Sequence, residues 1–543
     1  MLDGNDHRMT RPPTRQRAFR FALAAVPCAA MIGGFHHVDG SSSQSSLYDR
    51  VAISCAGPGH GAQGTGVSTP PPVAPPTPAP AEATAEAPAA PPMAEVAVMP
   101  APPPQVLDDA AALRAFLTEH LPAGGAIVEG DGPMGLVHTM RESESVQQVA
   151  KSYVDLTTAY TESELATAIL RAYPKLKDGR SHEGFAIRIP DVVLTAPKSP
   201  AEARLGWPED KSLRAIYMNA EMMSGRWGGG FKENLAKMNA RGINAIVVDA
   251  KDVTGWFTYP TKIPLALENN ANKHNVITSF ARLVRTAHAQ GIRVIARVSC
   301  FRDEHLGPSR GDLAIKNKGN DFPHKAPSHI VDWLDPTNDT VQQYLVDVVK
   351  EAIDAGADEI QLDYVRYPTE GIWDADFHLK EKGLTTADVI TGFVHRVHET
   401  TKAAGVPLSL DVFGCVAWQY AKDMESTGQD LRRLGKEIEA LSPMVYPSHF
   451  GVGFQGYEVP GDHPDIVALG TKKALETMHE VGVDNVVVRS WVQAFPWKSP
   501  HFGSGYIAEQ IKEAKNGGGV GWLAWNSGGE YGATYAAVPV LKK

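Results

Sequence analysis

From residue 213 onward, short apolar runs alternate with amphipathic stretches of helix length. The apolar runs predict strands at 214–219, 244–249, 293–298, 359–364, 407–412, 443–446, 486–489 and 520–525. Helices are predicted between them at 231–240, 278–290, 340–355, 386–404, 466–481 and 505–515. Gly242, Gly291, Gly356, Gly405 and Gly482 follow the helical stretches, where a left-handed C-terminal cap favours glycine. Near-continuous apolar strands alternating with helices imply a parallel sheet covered on both faces. Eight such strands within 207–543 fit a TIM (β/α)8 barrel with enlarged loops. An open doubly wound sheet is the competing arrangement. Its usual glycine-rich turn after the first strand is replaced here by Asn219-Ala220-Glu221-Met222.

The pattern before residue 200 is different. Residues 107–200 predict a small domain: a strand and turn over 137–145, a helix from Val146, a second helix over 162–173 and a strand over 184–190. Between 57 and 105 the composition falls to Pro, Ala, Gly, Thr and Glu, which cannot form a core. Residues 41–106 therefore read as a disordered, semi-rigid tether. Within residues 1–40, Arg11, Arg15, Arg17 and Arg20 precede an apolar run over 21–34. Those are the proportions of a signal peptide, and the run is short for a membrane anchor. The expected destination is the periplasm, cell envelope or exterior.

A net charge of -10, with no basic stripe outside the N-terminus, argues against nucleic acid as a partner. The four cysteines, at 28, 55, 300 and 415, form no disulfide framework. Cys300 and Cys415 fall near the ends of the third and fifth strands, roughly 9–10 Å apart against the roughly 4.4–6.8 Å that a disulfide spans. Both are expected as buried free thiols. No histidine cluster has zinc spacing, so neither a metal nor another cofactor is expected.

The residues that carry chemistry cluster at the strand ends. In a β/α barrel, loops converge at the C-terminal ends of the strands and the active site forms there. The second strand ends at Asp249 and Lys251, the third at Arg297, and the fourth at Asp363 with Arg366 beyond it. The fifth gives Asp411, the sixth Tyr446 and His449, the seventh Trp491, and the eighth Trp525 and Asn526. Carboxylates meeting at one mouth are what glycoside hydrolysis needs: one protonates the leaving oxygen while another attacks or activates water. Repulsion and burial would push the pKa values of such a pair apart. Trp256, Phe257, Tyr259, Trp373, Trp418, Tyr446, Trp491 and Trp525 lie at or beyond strand ends, where flat rings suit sugar faces. The same carboxylates also suit a divalent cation. Gly517-Gly518-Gly519 and Asn526-Ser527-Gly528-Gly529 flank the last strand, as phosphate-gripping loops do in many barrels, although relief of crowding is the favoured account of the glycines.

These pieces resemble a family of glycoside hydrolases in bacterial and archaeal proteins, known mainly as a domain of unknown function. The matching segments are 248–255, 332–336, 361–368, 411–414 and 444–449, and Asp363-Tyr364-Val365-Arg366-Tyr367-Pro368 is the most specific of them. The resemblance implies a barrel related to the α-amylase-like glycosidases, with Asp363 as nucleophile or base and Asp411 as acid/base. Asp249, Lys251, Arg297, Arg366, Tyr446, His449, Trp491, Trp525 and Asn526 are then substrate-binding candidates. The 107–200 domain resembles the LysM module, which binds N-acetylglucosamine-containing glycans. Ser143-Glu144 stands at its usual Gly-Asp turn and Tyr173-Pro174 at its Asn-Pro pair. The expected protein is an exported polysaccharide hydrolase, its partner a cell-wall or extracellular glycan and its N-terminal region associated with peptidoglycan or membrane. The alternatives are a non-catalytic glycan-binding envelope protein and a phosphate- or metal-dependent lyase.

Overall fold

The computed structural model describes residues 109–129, 132–178, 182–225, 230–319, 323, 332–369 and 374–540. The expected signal peptide (1–40), the expected tether (41–106) and Trp373 lie outside them.

The N-terminal unit opens with a helix, Asp109–Glu119, before the strands β1 (Gly125–Val128) and β2 (Gly135–Thr139). Helices Val146–Tyr153 and Glu162–Ala172 follow, then β3 (Ala186–Ile189). β2 pairs antiparallel with both other strands. Ser145 and Gln148 form a reciprocal capping box that starts the first of the two helices. The unit rests on the larger one through Tyr160, which stacks on Phe231 at 4.3 Å and donates to the Met223 carbonyl at 2.5 Å. Arg282 also reaches Asp155 at 2.6 Å.

The larger unit is an α/β fold around a curled sheet. Its strands are β4 (Leu213–Met218), β5 (Ala245–Lys251), β6 (Arg293–Ser299), β8 (Glu359–Asp363), β10 (Leu408–Phe413), β11 (Ala440–Met444), β12 (Val487–Val488), β13 (Trp491–Gln493) and β14 (Gly521–Trp525). β7 (Lys316–Asn317) and β9 (Ala375–Asp376) form a separate small ribbon. The order across the sheet is β12-β11-β10-β8-β6-β5-β4-β14-β13, and every pairing is parallel. Its two outer strands are pieces of one short segment, interrupted only at Arg489 and Ser490. That segment is bonded on both sides: Arg489 N donates to Leu441 O at 2.9 Å, and Val520 N to Val488 O at 2.8 Å.

Side-chain alternation along each strand divides the interior into two cores. Ile216, Val248, Val298, Leu362 and Leu410 face the surrounding helices. Leu213, Ala215, Tyr217, Val247, Ile295 and Leu523 face the inside of the curl. On β8 the inward set is Glu359, Gln361 and Asp363, all buried, so the inner face turns polar along that strand. Residues 204–207 close the N-terminal end. Leu205 N donates to Asp358 Oδ1 at 2.7 Å, and Trp207 Nε1 to Glu359 Oε2 at 2.7 Å.

All five predicted capping glycines have positive φ, between 64° and 96°. The sixth strand lies earlier than expected because Pro443 stands inside it, opposite Val412, whereas the apolar reading began at that proline. Neither Cys300 nor Cys415 is in a disulfide, as expected, but only Cys300 is buried; Cys415 is half-buried.

Candidate active site

Asp363 is the last residue of β8, and Tyr364 after it takes a left-handed backbone at φ 49°. Such a conformation in a non-glycine residue costs on the order of 1–3 kcal/mol and is found where surrounding structure enforces it. Here it ends the strand and turns the Tyr364 amide back onto Asp363 Oδ1 at 2.6 Å. Asp363 Oδ2 accepts from Arg297 Nη2 at 2.6 Å and from Nε at 3.2 Å. The Arg297 Nη1 holds Asp249 Oδ1, whose other oxygen accepts from the Tyr217 hydroxyl at 2.6 Å. The guanidinium lies 5.1 Å from the Trp525 ring centroid, and Trp525 stacks on Tyr217 at 4.1 Å. Burial works against the Arg297 charge, yet Asp249, Asp363, Tyr217 and Asp411 together raise its proton affinity well above the ordinary value.

Leu362 pairs with Leu410, so Asp411 stands beside Asp363 on the adjacent strand. It lies two residues short of the end of β10 and is only 1% exposed, against 6% for Asp363. Trp491 Nε1 donates to Asp411 Oδ1 at 2.7 Å. Asp411 Oδ2 lies 3.9 Å from Arg297 Nε. Measured through that shared nitrogen, the two aspartates' Oδ2 atoms are no more than 7.1 Å apart. Burial and the neighbouring Asp363 hold the Asp411 carboxyl well above the usual carboxylate range, against the opposing pull of Arg297 and Trp491.

Tyr446 and Trp491 are buried on the same inner face. His449 is half-buried against Tyr446, Phe495 and Trp497; burial, helped by the Lys498 charge, pushes its imidazole down to about 3. Arg366 donates to its neighbour's carbonyl, Tyr367 O, at 2.9 Å. Its guanidinium lies 4.0 Å from the Phe413 ring centroid and 4.8 Å from that of Trp333.

Two expected substrate contacts are corrected. Lys251 is fully buried, with Nζ 2.9 Å from the equally buried Asp303 Oδ2 and bonded to the Ser299 carbonyl. A bulge between Asp249 and Lys251 gives each residue its own partner. Asn526 spends its amide on backbone, donating to Ala494 O beyond β13 and to Glu530 O of its own loop, and accepting from Gly528 N. The aromatic platform also shrinks. Phe257 and Tyr259 belong to the outer core, Trp418 packs on Phe450 and Phe454, and Trp256 stacks on His305. Gly517 and Gly519 are packing glycines: an added Cβ would lie 2.6 Å from Ala468 O and 2.7 Å from Ala514 O respectively.

A Lys251→Met change strands Asp303 as a buried, unpaired charge, and denaturant unfolding should show a loss of about 3–5 kcal/mol. Replacing Asp303 by Leu in the same chain should restore most of it. A single-variant loss under about 1 kcal/mol would refute the pairing argument.

The family profile "Putative glycosyl hydrolase domain" (DUF4015) matches residues 215–531. The chain belongs to this family. The match starts in β4 and ends at Tyr531, whose hydroxyl donates back to Tyr217 O at 2.7 Å, so it spans the whole curled sheet. Among solved structures, a hypothetical protein from Ruminiclostridium thermocellum ATCC 27405 is 30% identical with a TM-score of 0.33, covering 36% of this chain and 97% of that one. The glycoside hydrolase domain of PgaB (BpsB) from Bordetella bronchiseptica is 10% identical with a TM-score of 0.43, covering 61% and 100%. The catalytic domain of β-amylase from Paenibacillus polymyxa is 11% identical with a TM-score of 0.39, covering 61% and 99%. No curated protein matches the sequence.

In this glycosyl hydrolase domain the strand-end reading missed Tyr217, Glu359 and Gln361. The signal for the last two was present: Glu359, Gln361 and Asp363 are spaced by two and so share a face. Tyr217 sits two residues beyond Ala215 in an otherwise apolar run and carried no comparable mark.

Proposed function

We propose that this family member is an exported glycoside hydrolase that cleaves a polysaccharide with the Asp363 and Asp411 pair. The observation behind this is one guanidinium nitrogen, Arg297 Nε, at 3.2 Å from one aspartate and 3.9 Å from the other. The two side chains differ as an acid and its partner must. Asp363 is the more exposed and is gripped by Arg297, which suits a nucleophile or base. Asp411 lies deeper, with Trp491 on one oxygen and no hydrogen-bond partner on the other, and keeps its proton to a higher pH, which suits a donor to the leaving oxygen. Tyr446, Trp491 and Trp525 supply the ring faces around them. The parallel order, with both outer strands drawn from one segment, favours reading the sheet as a TIM (β/α)8 barrel whose C-terminal ends carry the pair.

The strand–helix–helix–strand order of 135–189 supports a LysM-like module for the N-terminal unit, which would hold the enzyme near cell-wall glycan. Export through the 1–40 leader and spacing by the tether complete the proposal.

Asp411 also sets a pH signature. Its folded pKa is raised, so its contribution to stability is fully present below the unfolded value of about 3.9 and is lost as pH rises toward the folded value. Asp411→Asn removes that loss. The variant's melting temperature relative to wild type should therefore climb from about pH 4 upward while hydrolysis collapses. A difference in melting temperature that stays flat with pH would refute the burial argument. Retained turnover would refute the donor role.

A further inference from the structure

Six buried side chains on the inner face carry polar atoms without a hydrogen-bond partner. They are Glu359 Oε1, Gln361 Oε1, Asp411 Oδ2, the Tyr446 hydroxyl, Trp525 Nε1, and Arg489 Nε and Nη1. Their spacing is ordered. Glu359 and Arg489 form the lowest layer, joined at 3.0 Å with both side chains fully buried, and the half-buried Trp207 lies below it, bonded to Glu359. Gln361 lies one inward position higher, beside Ser409 by register and reaching the Ser442 hydroxyl at 3.4 Å. The next inward positions on the same two strands are Asp363 and Asp411. Donors and acceptors thus run up the inside of the sheet from Arg489 to Asp411. A buried polar atom left unpaired costs about 1–3 kcal/mol, too much to repeat this often along one path. Sites that are polar on several sides are where proteins hold internal water, each molecule making about three hydrogen bonds.

We infer that the inner face below Asp411 holds a file of water that returns protons to its carboxyl. The inference rests on the hydrolase reading, with Asp363 as the base. In one turnover the Asp411 proton passes from Oδ2 to the leaving oxygen as the glycosidic bond breaks. The attacking water gives its proton to Asp363, which then releases it toward the mouth. Asp411 is left as a carboxylate that Trp491 covers on its other oxygen, so the replacement proton arrives along the file from bulk water at the N-terminal end of the sheet, past the half-buried Trp207. No other bond changes. Glu359 and Gln361 are positioning residues: they anchor the water and do not touch the sugar. Glu359 also adds to the charge that keeps Asp411 protonated.

Two measurements on the full chain test this without any glycan, so failure of the hydrolase reading would leave both intact. A high-resolution crystal structure should show ordered water within hydrogen-bond distance of Glu359 Oε1, Gln361 Oε1 and Asp411 Oδ2; a dry inner face overturns the inference. Infrared spectroscopy, with Asp411→Asn assigning the carboxyl band, should show rapid proton–deuteron exchange at Asp411. Gln361→Leu, which interrupts the file at its middle layer, should slow that exchange by about a hundred-fold. Equal exchange rates in the variant and wild type overturn it. If the leucine variant does not fold, the crystal structure decides alone.

Discussion

Asp363→Asn will reduce hydrolysis by about 10³-fold or more while the protein still unfolds cooperatively and still binds glycan. The substitution keeps shape and removes charge, so it separates chemistry from recognition. It is not free of structural cost. Asp363 accepts from the Tyr364 amide through one oxygen and from two Arg297 nitrogens through the other. An amide offers one acceptor, so one of those donor sets faces an NH₂ group, at about 1–3 kcal/mol. Binding and unfolding must therefore be measured beside turnover. A large loss of turnover with glycan affinity within about three-fold of wild type is the expected pattern. A wild-type protein that binds a glycan panel but turns over none of it would instead establish the non-catalytic reading.

The sequence made the scaffold more legible than the site, for a physical reason. Strands and helices leave periodic traces, and glycines such as Gly356 and Gly405 mark where helices must end. All eight expected apolar runs correspond to strands or pieces of strands. Site geometry depends on depth along a strand and on the face each residue takes, which one-residue errors destroy. Placing Asp411 at a strand end suggested exposure; β10 runs on to Phe413 and encloses it. The bulge in β5 sent Lys251 to Asp303 rather than to the mouth. Distant partners were hidden altogether, since nothing local to Trp491 announces a bond to Asp411 across 80 positions. Aromatic residues were over-read because a ring near a strand end is equally at home in the layer beneath the helices. Phe257 and Tyr259 are there.

Arg297 is where the largest combined loss is expected. It is 4% exposed, grips Asp249 and Asp363 together, and lies within 4 Å of Asp411. Arg297→Met removes a positive charge bonded to this group and should destabilise the protein by about 3–5 kcal/mol at neutral pH. The loss should shrink as pH falls. Arg297 opposes the upward shift of the Asp411 carboxyl, so its removal raises that group's proton affinity further, and a lower pH, which protonates Asp411, relieves the variant more than the wild type. Arg297→Lys tests geometry separately from charge. A single ammonium replaces much of the Coulombic attraction but cannot fork onto two side chains, so most stability returns while Asp363 loses its fixed orientation. Hydrolysis by the lysine variant should stay about 10²-fold below wild type. Urea unfolding across pH for both variants, with turnover at each pH, decides the matter. A methionine variant as stable as wild type at neutral pH would show that the carboxyl groups do not depend on Arg297, and the arrangement proposed for catalysis would lose its organising charge.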